Sequence, residues 1–309
     1  MDFNNREDNN NEPKHSWIAS LSPFSYVILV LVIVFFLYQV IGGMMAYLAG
    51  AASPDTNVEL TRIMLMFGHF MFMLTPTIFL TRLRTPKLKE TFRLNAPPPF
   101  LLMLSIFGII LIQPALQGYL HLQDFVLNNL PFFNSVFKEF KEAFELIDAA
   151  TMKIVTSYSS VEFAVVVLVI AVTPAISEEI LFRGFVLKNL EKASRPSIAI
   201  FLSGFLFAMY HFQPLNFVPL MLLGFFLGFV VYYSNSIFTG MVCHFFNNFF
   251  AAFYIFKFGK DEFDTPHIAN SETINTAISG VVSLVLFVII LLVYYRFRVK
   301  PQISPEEIE

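Results

Sequence analysis

FAVVVLVIAVTPAISEEILFRGF, residues 163–185, decides how this chain folds. Ten apolar residues lead to Thr173 and Pro174, and then Glu178, Glu179 and Arg183 arrive within six positions while the apolar frame continues around them. The run is continuously apolar and does not alternate with a period of two, so it reads as a helix crossing a bilayer and not as a strand of a membrane barrel. Three full charges in such a helix need a reason.

The rest of the chain agrees with a membrane reading. Of its 309 residues 56% are hydrophobic and 14% charged, with a mean hydropathy of +0.65, whereas soluble domains carry about 25% charged residues. A net charge of −3 gives no basis for a nucleic-acid partner, and the lone Cys243 rules out an intramolecular disulfide framework. Residues 1–22 are polar and asparagine-rich and lack the basic start, short apolar core and small-residue cleavage site of a secretory signal. They are expected to form a retained, disordered tail. The absence of an internal repeat disfavours transporters built from duplicated halves.

Apolar length predicts eight helices, near 24–49, 59–81, 99–121, 160–188, 197–212, 215–233, 237–257 and 277–295, with the fifth short for a bilayer. The expected fold is an all-α polytopic membrane helical bundle. Its parts are the tail (1–22), three helices (23–122), an extracytoplasmic connection (123–158), a core carrying the chemistry (159–257), and a loop, last helix and tail (258–309). In the connection, Phe133, Phe137, Phe140, Phe144 and Ile147 fall on one stripe and Lys138, Glu139, Lys141, Glu142 and Glu145 on the rest, predicting an amphipathic helix in the interface. Lysine and arginine number five in 82–98, four in 183–196 and three after 295, against none in 50–58 and 212–216. Both ends are therefore expected in the cytoplasm.

At 1.5 Å per residue, Glu178 lies roughly 18 Å inside the cytoplasmic end of its span, where a charge costs ~2.5–3.5 kcal/mol on insertion scales. Glu179 and Arg183 stand at i and i+4 with the acid first, the favourable order for a helical ion pair. Glu178 points about 100° away and needs partners from other helices. His211 ends the next span at about 21 Å from the cytoplasmic turn, with Phe207 one turn nearer the cytoplasm on the same face, suited to shield the site. His244 and Asn248 share a face of the seventh span, about 10 and 16 Å deep. One carboxylate, two imidazoles and a carboxamide thus aim at one slab. They suit amide hydrolysis, with Glu178 as general base, His211 holding the water, and His244 with Asn248 donating to an oxyanion. A non-catalytic immunity or scaffold protein, or a proton- or ion-coupled transporter, would use the same charges differently.

These stretches, EEILFR (178–183), FAMYH (207–211) and HFFNN (244–248), resemble the EExxxR, FxxxH and HxxxN/D pattern of the CAAX protease and bacteriocin-processing (CPBP) intramembrane endopeptidases, which include type II CAAX prenyl endopeptidases. The resemblance covers about residues 160–257. It implies a catalytic Glu178, a water-activating His211, oxyanion groups His244 and Asn248, and supporting Glu179 and Arg183. It also implies a membrane-associated or lipidated protein or peptide as substrate. Glu178, His211 and His244 would make a two-histidine, one-carboxylate zinc set. With no HExxH present, and a carboxamide at Asn248 better suited to an oxyanion, the metal-independent reading is preferred. A prokaryotic plasma membrane is the expected location.

His69, Thr75–Pro76, Gln113, Gln117 and Asn247 read as interhelical hydrogen bonds or kinks. Gly224 and Gly228 predict close packing inside the bundle.

Overall fold

A computed structural model describes residues 18, 20–51, 57–129, 149–259 and 270–299. Most of the expected tail and the whole amphipathic stripe lie outside these residues. Each of the eight predicted segments is helical: α1 (Pro23–Gly50) and α2 (Val58–Arg84), α3 (Pro99–Asn129), α4 (Ser160–Ala193), α5 (Pro196–Tyr210), α6 (Phe217–Ser234), α7 (Ile237–Phe258) and α8 (Asn270–Arg296). No strand occurs among the described residues.

Six of these segments, all but α5 and α7, are long and apolar enough to cross a membrane, so the expected eight crossings are not all matched by this measure. α5 has 15 residues, and α7 carries His244, Asn247 and Asn248 in its middle, which lower its hydropathy.

Local chemistry sets the helix ends. Ser22, Asn57 and Ser159 accept hydrogen bonds from the backbone N–H of Ser25, Leu60 and Glu162, satisfying donors that an uncapped start leaves orphaned. α6 stops at Asn235, whose φ of 51° is left-handed. Within α2 and α4 a Thr–Pro pair reshapes the helix. Turns of wide pitch cover His69–Leu74 and Leu168–Val172, and Thr75 and Thr173 donate to the carbonyls of Phe70 and Leu168, five residues upstream. Proline removes the N–H that would close a normal turn there, and the threonine hydroxyl re-satisfies a carbonyl.

The end of the bundle that carries the basic loops is tied together. Arg84 donates to Leu21 O at 2.8 Å, Arg93 pairs with Glu191 at 2.5 Å, Ile237 N donates to Arg93 O at 3.0 Å, and Val299 N donates to Tyr233 O at 2.9 Å. At the other end, buried Arg62 binds Glu59, Glu162, Ile154 O and Thr156 O at 2.6–2.9 Å.

α4 is the centre. Every residue from Ser177 to Leu187 is buried, Arg183 and Glu179 at 0% exposure. α5 and α6 meet glycine on glycine: a Cβ on Gly224 would stand 2.8 Å from Gly204 Cα. Gly224 thus serves packing within the bundle, as its spacing predicts.

Candidate active site

α4 enters the site just after its Thr–Pro turn. Glu178 and Glu179 are consecutive, so they face different sides of the helix and meet different partners.

Glu179 is enclosed. Arg183 Nη1 donates to its Oε1 at 2.7 Å, one helical turn on. His244 Nδ1 stands 3.0 Å from the same oxygen. Arg183 Nη2 donates to Gly224 O at 3.2 Å, a carbonyl within reach because α5 and α6 approach closely. The guanidinium carbon lies 4.5 Å over the Phe207 ring, an additional attraction for a charge without water. α7 comes near enough for the His244 contact because residue 240 is glycine: a Cβ there would lie 2.6 Å from Glu179 Oε2.

Glu178 is surrounded by three imidazoles from three helices. His69 Nε2 on α2 lies 3.6 Å from Oε1, while His211 Nε2 at the end of α5 and His244 Nε2 on α7 lie 3.8 and 3.9 Å from Oε2. Each ring is anchored through Nδ1: His69 to Leu65 O at 2.9 Å, His211 to Phe207 O at 2.7 Å, His244 to Glu179. Carbonyls and carboxylates only accept, so each Nδ1 carries the hydrogen and each Nε2 is turned toward Glu178. Among the described residues Glu178 Oε2 is buried with no hydrogen-bond partner. The cluster is not sealed, since the His211 side chain keeps 25% of its surface open.

Phe207 closes the floor of the cluster. It is buried, with ring centroids 4.5 Å from His211 and 5.9 Å from His244. Asn248 bonds to other groups. Its Nδ2 donates to Ile170 O at 2.7 Å and its Oδ1 accepts from Asn247 at 3.0 Å, which in turn accepts from Gln113 of α3 at 2.9 Å. One amide hydrogen of Asn248 is therefore committed to α4.

A tetrahedral zinc with ligands at ~2.0–2.1 Å sets donor atoms about 3.3–3.4 Å apart. The 3.6–3.9 Å separations around Glu178 are wider, and no His/Cys/Asp/Glu group among the described residues is gathered tightly enough to hold a metal ion.

Residues 160–250 match the family model described as Type II CAAX prenyl endopeptidase Rce1-like. This stretch is similar to a CAAX-protease core. The apolar helices in and around this stretch mark the chain as an integral membrane protein. Neither the curated proteins nor the solved structures compared with the chain gave a match.

The matched stretch holds Glu178, Glu179, Arg183, Phe207, His211, His244 and Asn248, and the first six form one connected cluster. In sequence His69 reads as an interhelical hydrogen-bonding residue, which its contact with Tyr38 of α1 bears out, but not as a neighbour of Glu178. The signal for it is that α2 repeats the Thr–Pro pair of α4, with an ionisable residue a turn or so away in each. Beside the cluster, an apolar groove follows the seam of α1 and α5, lined by Ile28, Leu31, Phe35, Leu206, Met209 and Phe212. Its upper end reaches the residues that flank His211.

Proposed function

We propose that the protein is an endopeptidase that hydrolyses a peptide bond with water activated by Glu178. The observation that carries this reading is the orphaned Glu178 Oε2 facing His211 Nε2 and His244 Nε2 at 3.8 and 3.9 Å. These separations are too long for direct hydrogen bonds; in this reading one water about 2.8 Å from Glu178 Oε2 and His211 Nε2 donates a hydrogen to each.

In this mechanism the water gives one proton to Glu178 and attacks the peptide carbonyl carbon while His211 Nε2 holds its second hydrogen. The carbonyl oxygen becomes an oxyanion, met by the amide hydrogen of Asn248 not spent on Ile170. His244 helps only when its ring carries two protons, because its Nδ1–H is given to Glu179. Glu178 then passes its proton to the leaving amine. The atoms balance without a covalent intermediate, and the reaction runs without a metal. The substrate is a membrane-associated or lipidated protein or peptide, and the apolar groove beside His211 supports that choice. The setting proposed is a prokaryotic plasma membrane with both chain ends in the cytoplasm.

The test uses the full chain in proteoliposomes with a quenched fluorescent peptide carrying a farnesylated cysteine near its C-terminus. Glu178→Gln should lower turnover by about 10²–10⁴ with unchanged melting temperature, and activity should survive chelation. Wild-type turnover in Glu178→Gln removes the proposed base, and loss on chelation restored by zinc removes the metal-independent step.

A further inference from the structure

We infer that His69, backed by Tyr38, is a positioning residue for the Glu178 carboxylate, so that one wall of the site comes from α1 and α2, outside the matched core. This rests on the reading of Glu178 as the base.

A carboxylate on a terminal sp³–sp² torsion rotates broadly. For one oxygen to face His211 and His244 steadily, the other must be held. Glu178 Oε1 faces His69 Nε2 at 3.6 Å, while the two imidazoles of the matched stretch face Oε2. His69 is itself fixed at three points. Its Nδ1–H is committed to Leu65 O at 2.9 Å. The Tyr38 hydroxyl stands 2.9 Å from Nε2. The Tyr38 ring also meets the imidazole at a centroid distance of 4.7 Å and an angle of 62°.

The Nε2 position has two proton arrangements. Tyr38 O–H donates to a neutral ring, or the ring carries the hydrogen and turns it to Oε1 while Tyr38 accepts. In both, the imidazole edge is the stop against which Oε1 rests. His69 also opens the wide turn before Thr75–Pro76, the stretch of α2 that packs on Thr173–Glu179. α1 is bound to the site a second time: Gln39 Nε2 donates to Tyr210 O at 3.0 Å, next to His211. A role confined to joining α1 and α2 would be met by the Tyr38–His69 contact alone and would not require Nε2 at the carboxylate.

The experiment compares His69→Ala, His69→Gln and Tyr38→Phe in the proteoliposome assay, alone and with Glu178→Gln. His69→Ala should lower kcat by about 10–100-fold, the cost of a small misplacement of a reacting group, while KM changes less than twofold. His69→Gln should regain part of the loss, Tyr38→Phe should cost several-fold, and His69→Ala should add nothing to Glu178→Gln. Independently of any substrate, the ring-nitrogen NMR signals of His69 in ¹⁵N-histidine protein in nanodiscs should move on Glu178→Gln. Wild-type kcat in His69→Ala, a loss confined to KM, or unmoved His69 signals overturns the inference. If the wild-type protein cleaves nothing, the protease reading falls by itself, and the NMR arm still decides whether His69 answers to Glu178.

Discussion

Removing one member of the Glu179–Arg183 pair should cost more stability than removing both. Each side chain is 0% exposed and their closest atoms are 2.7 Å apart. Stranding one charge of such a pair costs ~3–5 kcal/mol, whereas replacing both with uncharged groups of similar volume is often near neutral. In Glu179→Gln, Arg183 keeps Gly224 O and the Phe207 face, so the loss should fall near the lower end, about 3 kcal/mol. In Arg183→Met, Glu179 keeps only His244 among the partners described above, and the loss should approach about 5 kcal/mol. At roughly 2 °C per kcal/mol for a chain of this size, the single variants should melt about 6–10 °C below the parent protein. Glu179→Gln/Arg183→Met should recover most of that. Cys243, the sole cysteine and fully buried, makes the assay direct, because a thiol-reactive dye fluoresces only as the bundle opens. A Glu179→Gln melting point within about 1 °C of the parent, or a double variant less stable than both single ones, would refute the claim that these charges hold each other.

Gly240→Ala places a Cβ 2.6 Å from both Glu179 Oε2 and Val231 Cγ2. α7 must retreat, and the variant should lose about 1–3 kcal/mol together with turnover, since His244 is one turn along the same face; unchanged melting and unchanged cleavage would contradict the close approach. Arg62→Met should lower stability by about 2–3 kcal/mol, less than a fully buried pair because Glu59 and Glu162 are partly exposed, and dye labelling of Cys243 on heating reads this too.

The three motifs, the helical segments and the Glu179–Arg183 pair were legible because each depends on local period: apolar length, and residues at i and i+4. Three features were not. A helical projection assumes 3.6 residues per turn, and the wide turns at His69–Leu74, Leu168–Val172 and Ile180–Val186 each shift the faces beyond them. That is why His69 reads as an ordinary interhelical residue in sequence and stands beside Glu178 in space. The Arg62–Glu162 pair joins positions 100 apart, and no local pattern announces it. Asn248 was placed by spacing on the face of His244, yet its amide also answers to Ile170 O, a partner that only the packing of α4 on α7 supplies.

The two neighbouring carboxylates of α4 show how the bundle divides its few charges. Glu179 meets a guanidinium and an imidazole N–H at hydrogen-bond distance and is shut from solvent, an arrangement that fixes α4, α6 and α7 relative to one another. Glu178 meets three imidazoles at 3.6–3.9 Å and bonds to none of them. Were both carboxylates bonded like Glu179, the cluster would be a structural clasp with no group free to take a proton. Were both held like Glu178, two poorly compensated charges would stand side by side in a low-dielectric core, each at a cost of several kcal/mol. An acid bonded through Oε1 and an acid bonded to none of its imidazoles are coupled through His244, whose Nδ1 belongs to Glu179 and whose Nε2 faces Glu178. If Glu178 is the base we propose, the rigid half of the network orients the reactive half, and a perturbation of Glu179 should reach turnover through the angle of that one ring.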